Sequence, residues 1–309
     1  MDKNKKVWAC VLLSGGLDSL LTVKIMQEQG VNVFAVYFKL PFGPDLEKTL
    51  RDFAVKNRIK LKVFDCTKKE LLREYFEIIK GGKHGRGAGY NPCIDCKIFL
   101  FKKAKEFAEK NNLDFIATGE VLDERPMSQK QKTMKLIEEE SGLKGIIFRP
   151  LSAKLLGETL AEKNKLVNRD AFFDIHGKRR IRQMEMAKKF NLLYPSPAGG
   201  CLLCEKELRK RFKIFFAKKE LWNYSSLLAV GRHFFIENNW VIIGRNEREN
   251  EILEKVKGAF LISPNYTGPS LLAFGEVKKD FENRMNEMTR AYSKKGSLDE
   301  RKSFEQYRI

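Results

Sequence analysis

The chain has 309 residues, 43% hydrophobic and 32% charged, which is material for one large domain or two ordinary ones. No apolar run of about 18 residues is present, which argues against a membrane-spanning helix, and no signal-peptide pattern follows the polar start Met1 to Lys6, so a cytoplasmic protein is expected. The formal net charge of +19 asks for a polyanionic partner, and RNA or DNA fits it better than a membrane surface because no long basic amphipathic helix is evident.

The first 120 residues alternate short β-rich runs with amphipathic stretches. Residues 7–13 read as a buried strand, 19–29 as a helix ended by Gly30, 33–38 as a strand, 46–57 as a helix, 61–64 as a strand and 70–79 as a helix. This order predicts an α/β fold with a parallel sheet and helices on both faces. The glycine-rich stretch 81–91, with Lys83, His84 and Arg86, reads as a mobile basic loop. A long helix over 93–110 follows, then a strand over 115–117 closed by Thr118-Gly119-Glu120, a helix opening at 124–129 and a short strand over 146–148. Stretches 158–165 and 178–190 look helical, and Pro195 to Gly200 punctuates the chain. A dense basic run over 206–213 begins a smaller α+β domain, with strands over 233–237 and 240–243 and a polar C-terminal tail. The expected boundaries are 1–204 and 205–309.

Ser14-Gly15-Gly16-Leu17-Asp18-Ser19 sits where the first strand turns into the first helix. Paired glycines let backbone N–H groups approach an anion, the helix terminus adds partial positive charge, and the two serines can donate to phosphate oxygens. Asp18 points to a bound Mg²⁺ or to a capping role. Neither the Walker nor the GxGxxG pattern is present. The motif resembles the PP-loop, SGGxDS, of the ATP pyrophosphatases, a Rossmann-like fold of the adenine nucleotide α-hydrolase type. That resemblance implies ATP cleavage to AMP and pyrophosphate, with Gly119 beside the nucleotide, and leaves the acceptor open.

Six cysteines remain to be placed. Cys10 and Cys66 lie in apolar runs and read as buried small hydrophobes. Cys93-Ile94-Asp95-Cys96 opens a helix, where thiols are expected to have lowered pKa values, and Cys201-Leu202-Leu203-Cys204 follows two glycines. Two CxxC pairs admit a four-thiolate zinc site, a redox relay, or a three-cysteine [4Fe–4S] cluster with one open iron.

Asn91-Pro92-Cys93-Ile94-Asp95-Cys96-Lys97 is similar to the NP(D/C)xxCN stretch of the tRNA 2-thiouridylases, and Ser196-Pro197-Ala198-Gly199-Gly200-Cys201 resembles their later cysteine segment. The resemblance covers roughly residues 8–204. It implies catalytic roles for Cys96 and Cys201, with Cys93 beside them, and extends to the cluster-dependent tRNA thiolases, which makes Cys93, Cys96 and Cys201 the expected cluster ligands and zinc the alternative. Two departures stand out: Glu120 replaces the histidine of TGH, and Cys204 is extra, a fourth ligand, a persulfide carrier or a bystander. Lys97, Arg125 and Arg149 are candidate phosphate or RNA contacts.

The C-terminal part resembles the small NFACT-type RNA-binding module, on a Gly-Arg that recurs at two strand ends, with Asn246 expected to cap a helix. Arg209, Lys210, Arg211, Arg232, His233 and Arg245 are the expected RNA contacts. The reading that results is a tRNA uridine sulfurtransferase using ATP and Mg²⁺, fed by sulfide, a persulfide or a sulfur-carrier protein, in an undetermined oligomeric state that a dimer would suit. A PP-loop amidating synthetase for a small molecule and a zinc-stabilised RNA-binding protein are the alternatives.

Overall fold

A computed structural model describes residues 6–195 and 200–309. Its contacts divide the chain into two compact units, Met1–Cys204 and Glu205–Ile309.

The first unit is an α/β layer structure. Its strands are β1 (Trp8–Leu12), β2 (Asn32–Lys39), β3 (Lys60–Asp65), β4 (Phe115–Thr118) and β5 (Ile147–Phe148), all parallel, in the order β3-β2-β1-β4-β5. Its helices are α1 (Leu17–Glu28), α2 (Glu47–Lys56), α3 (Lys69–Gly81), α4 (Cys93–Lys110), α5 (Gln131–Glu140), α6 (Leu160–Lys163) and α7 (Ile181–Lys189). Alternate strand residues serve opposite faces. Ala9, Val11, Val33, Ala35, Phe115 and Ala117 pack with Leu20, Leu21 and Val23 of α1, Leu50 of α2 and Ala187 of α7. Cys10, Val36, Ile116 and Ile147 pack with Ile98, Phe101, Ala104 and Ala108 of α4 and Ile137 of α5. Burial on both faces explains the almost continuous apolar runs of the central strands. Cys10 and Cys66 are fully buried, as small hydrophobes would be.

The strand order puts a switch point between β1 and β4, where the chain departs to opposite sides of the sheet. In such sheets the crevice at the carboxyl ends of those strands is the natural ligand site. The residues that follow them here are Leu13-Ser14 and Gly119-Glu120.

The glycine-rich stretch after α3 is tied down, contrary to the mobile loop expected. Gly82 ends α3 in a left-handed conformation. Arg86 donates to the carbonyls of Ile79, Lys80 and Tyr90 and stacks on the Tyr90 ring, 3.9 Å from its centroid. The His84 backbone N–H and Nδ1 reach the Asp95 carboxylate at 3.1 and 2.9 Å. The helix expected to open at 124–129 begins only at Gln131, because 124–128 form turns whose N–H groups bond back to Val121 and Arg125. Of the 158–165 stretch, only the single capped turn α6 is helical.

The second unit carries α8 (Arg209–Ala217), β6 (Arg232–Ile236), β7 (Asn239–Ile243), α9 (Glu247–Glu254), β8 (Phe260–Ile262), β9 (Leu271–Phe274), α10 (Lys279–Ala291) and α11 (Leu298–Glu305). Its sheet is antiparallel, in the order β6-β7-β9-β8. Phe234, Ile236, Val241, Ile243 and Leu271 bury one face against Phe281, Met285 and Met288 of α10 and Phe304 of α11. The β6–β7 turn uses Glu237 and Asn238 at φ 48° and 62°, the backbone hand that matches strand twist. Asn246 caps α9 as expected, its side chain accepting from the Glu249 N–H at 3.0 Å. The polar C-terminal run is not a tail: it forms α11, and Phe304 lies in the core.

Candidate functional site

The segment Ser14–Ser19 spans the β1–α1 turn. Gly15 adopts φ +83°, and a Cβ there would meet the Leu46 side chain at 2.7 Å. Gly16 is the N-cap of α1, and no side chain caps that helix. Its first N–H groups are therefore suited to an anion. Ser19 Oγ donates to the Gly16 carbonyl at 2.8 Å, and Ser14 Oγ lies 3.2 Å from Ser19 Oγ. Ser14, Gly16, Leu17, Asp18 and Ser19 line a cavity of about 450 Å³, together with Thr118, Gly119 and Glu120 from β4 and the turn after it. Gly119 is required by close approach: a Cβ would stand 2.5–2.6 Å from the backbone of Asp18 and Ser19.

Asp18 lies inside the first turn of α1 and does not cap it. Its Oδ1 is buried without a hydrogen-bond partner. Burial, then the charge of Glu124, push its pKa up to about 6, against the pull of Arg180. Arg180 sits between the two acids, 3.8 Å from Asp18 Oδ2 and 2.9 Å by Nε from Glu124 Oε1. An orphaned carboxylate oxygen beside an anion-binding turn fits a divalent cation, so Asp18 is the residue that would hold Mg²⁺.

Glu120 belongs to a buried ion network rather than to the solvent. It accepts from Lys97 and, at 2.9 Å, from Arg149 Nε, and Arg149 also pairs with Glu138. Burial alone would raise the Glu120 pKa, yet the two cations hold it below the usual carboxylate range. Arg149 is 4% exposed. It therefore braces β5 against β4 and α5 and cannot contact RNA as expected. Lys97 and Arg125 do line the cavity.

The four CxxC cysteines fall in one region. Pro92 precedes α4, and Cys93 and Cys96 occupy its first turn. Leu202–Cys204 form a 3₁₀ turn held from two sides: the Leu202 N–H donates to the Phe42 carbonyl at 2.9 Å, and the Tyr90 N–H donates to the Leu203 carbonyl at 2.8 Å. The Cys93 thiol donates to Cys204, and the Cys204 thiol donates to Cys201. Cys96 instead contacts the buried Tyr75 hydroxyl at 3.8 Å. Cys201 lines the nucleotide-sized cavity, whereas Cys204 is exposed. Cys204 is thus a member of the cluster that joins Cys93 to Cys201.

The thiols are not activated in the way a helix N-terminus suggests. The hydrogen bond to Cys204, then burial, raise the Cys93 pKa. Burial pushes Cys96 up to about 12, and the bond to Cys201 raises Cys204. Burial outweighs the helix end because the nearest cation, Lys97, is engaged by Glu120. Among the described residues no group of three or more His, Cys, Asp or Glu side chains is arranged to hold a metal ion. In this arrangement the expected trio Cys93, Cys96 and Cys201 does not fit a cluster, nor do the four thiols fit zinc. The expected segment Ser196–Gly199 lies outside the described residues.

Residues 5–166 match the family described as thiamine biosynthesis protein (ThiI), just over half of the chain. The chain belongs to the ThiI family. The match ends before Cys201, Cys204 and the second unit. Relatives of this ThiI-family chain include a tRNA-specific 2-thiouridylase MnmA 3 of Bacteroides fragilis, 31% identical over 121 residues, covering 38% of this chain and 32% of the relative. Another is the tRNA-specific 2-thiouridylase MnmA of a Nitratiruptor species, 32% identical over 116 residues, covering 35% and 33%. The chain thus spans about a third of the length of these relatives. Among solved structures, a 4-thiouridine synthetase in complex with RNA and bound ATP aligns with 16% identity and a TM-score of 0.43, covering 72% of this chain and 54% of that one.

The second unit places the expected RNA contacts unevenly. Arg209 and Lys210 are exposed at the start of α8. Arg211 is half-buried and donates to the carbonyls of Leu228 and Ile309 at 3.1 and 3.2 Å. Burial, then the neighbouring Arg245 and Arg308, lower its pKa to about 10. Arg245 is held by Glu249 through bonds of 2.5–3.0 Å, and Arg232 lies 5.6 Å over the Tyr292 ring. His233 is fully buried, accepts from Trp240 Nε1 at 3.0 Å and bonds the Val230 carbonyl at 2.7 Å. Burial and Arg211 depress its pKa to about 3, so it is a neutral core group and not the RNA contact expected.

Sequence reasoning did not single out Glu124, Arg180 or Tyr75. Only their folded positions reveal them. Cys204 did carry a signal, the second CxxC.

Proposed function

We propose that this ThiI-family chain is a tRNA uridine sulfurtransferase, which adenylates a uridine carbonyl with ATP and replaces its oxygen with sulfur. The observation that carries the reading is that Cys201 lines the same cavity as the phosphate-binding turn Ser14–Ser19. A thiol there stands beside the carbon that ATP activates. The charge of +19 and the exposed Arg209 and Lys210 support an RNA substrate, as do the names of the relatives above.

The chemistry follows from the groups in hand. A carbonyl oxygen is a poor leaving group, and attack of that oxygen on the α-phosphorus of ATP, releasing pyrophosphate, turns it into AMP. The uncapped N-terminus of α1 and the hydroxyls of Ser14 and Ser19 orient the phosphates. Bound at Asp18, Mg²⁺ would neutralise charge developing on the phosphates. Arg180 keeps Asp18 and Glu124 from repelling each other while the site is empty of cation. A persulfide on Cys201 then supplies the terminal sulfur that displaces AMP, forming a disulfide link to the base, and a neighbouring thiol attacks Cys201 Sγ to release thiouridine and leave a protein disulfide. An added thiol reductant restores the cysteines.

The [4Fe–4S] cluster expected on Cys93, Cys96 and Cys201 would require these side chains to leave the hydrogen-bonded arrangement described above, and no step above passes through it. Anaerobic reconstitution followed by iron analysis tests it. The function itself is tested by pyrophosphate release with and without tRNA. Strong stimulation by tRNA supports a tRNA substrate, and release driven by a small amide donor instead would replace this reading with the amidating alternative.

A further inference from the structure

Cys204 has properties that the reaction at Cys201 does not itself use. It is the exposed thiol of the four, while Cys201 faces the cavity and Cys93 and Cys96 are more enclosed. It is within hydrogen-bonding reach of Cys201 on one side and Cys93 on the other. Its backbone N–H closes the turn onto the Cys201 carbonyl at 2.9 Å, which fixes the spacing of the two thiols. The turn is also pressed from outside: a Cβ on Gly89 would collide with the Leu203 carbonyl and stand 2.7 Å from the Cys204 carbonyl carbon. One sulfur thus faces solvent, the next faces the nucleotide, and the backbone holds them together.

We propose that Cys204 is the port of entry for sulfur: it accepts a sulfane sulfur from an external persulfide and passes it to Cys201. The proposal rests on the sulfurtransferase reading for its purpose, but the relay can be measured without it. Each step conserves atoms and electrons. In the first, the Cys204 sulfur attacks the terminal sulfur of a donor R–S–SH, forming Cys204–S–SH and releasing R–SH. In the second, the Cys201 sulfur attacks the terminal sulfur of Cys204–S–SH, forming Cys201–S–SH and returning Cys204 to the thiol. No oxidant or reductant is consumed by the transfer. The division of labour answers a problem of access. With ATP and RNA in the cavity, a protein or small-molecule persulfide cannot reach Cys201 directly, whereas Cys204 stays open to it. The hydrogen bond from Cys93 holds the Cys204 sulfur on the line between the two.

The test uses the full chain, reduced and free of oxygen, mixed with cysteine persulfide and quenched at timed intervals with an alkylating reagent. Fragment mass spectra then locate the added sulfur on Cys201 or Cys204. In the unaltered chain sulfur is expected on Cys204 before Cys201. In Cys201→Ser it should accumulate on Cys204, and in Cys204→Ser the loading of Cys201 should slow by about tenfold or more, as access governs thiol exchange. Sulfur reaching Cys201 first, or Cys201 loading at an unchanged rate in Cys204→Ser, would overturn the relay. Because neither ATP nor RNA is present, a chain that passes sulfur in this order but makes no thiouridine would refute the proposed function and leave the relay intact.

Discussion

Replacing Asp18 by Asn should stabilise the nucleotide-free protein while abolishing its turnover. Asp18 is 14% exposed and leaves one oxygen unbonded, and its pKa is raised from 3.8 to about 6. The folded state therefore holds a proton that the unfolded chain releases. This contribution to stability is fully present below pH 3.8 and is lost as the pH rises through about 6. A shift of roughly two units corresponds to about 3 kcal/mol, an upper figure that already contains the attraction of Arg180. Asn has no such loss. The assay is calorimetry of both proteins, free of nucleotide and divalent cation, across this pH range. The Tm difference should be near zero at the acid end and grow to several degrees in favour of Asp18→Asn near neutrality, at roughly 2–4 °C per kcal/mol for a unit of this size. A difference that stays flat with pH, or an Asp18→Asn protein less stable near neutrality, would refute the account of this carboxylate.

Gly119→Ala forces the turn after β4 away from Asp18 and Ser19, and should cost about 1–3 kcal/mol by denaturant titration and weaken ATP binding in calorimetry. Glu120→Gln leaves Lys97 and Arg149 without their shared counter-charge and should cost about 3–5 kcal/mol in the same titration. The double variant with Arg149→Met should cost less than the sum of the two single changes. Replacing Arg209 and Lys210 by Glu, and sparing the structurally engaged Arg211, should weaken tRNA binding and lower the slope of log affinity against log salt by about two. An unchanged slope would remove this surface from the RNA path.

Legibility in the sequence followed locality. The phosphate turn is six consecutive residues at a strand–helix junction, so glycine conformation and helix polarity suffice to read it. The parallel sheet was legible because its central strands are buried on both faces and its first helices have clear apolar stripes. The thiols were misjudged because two effects compete at the start of α4: the helix end lowers a thiol pKa, and burial raises it. Only the fold reveals that Lys97, the available cation, is taken by Glu120. Glu124 and Arg180 acquire meaning from Asp18, to which nothing in their neighbouring sequence points. In the second unit β8 and β9 are only three and four residues long, and α11 is polar except for the face carrying Phe304, so neither stood out from its surroundings.

The central claim is that ATP cleavage at the Ser14–Ser19 turn is coupled to sulfur insertion into tRNA. Its most direct test is a single reaction with ATP, Mg²⁺, unmodified tRNA, a persulfide donor and a thiol reductant, in which pyrophosphate, AMP and nucleosides are all quantified. The account predicts thiouridine in the digested tRNA in equal amount to pyrophosphate and AMP, and loss of thiouridine in Cys201→Ser. Pyrophosphate released in full while the tRNA gains no sulfur would contradict it.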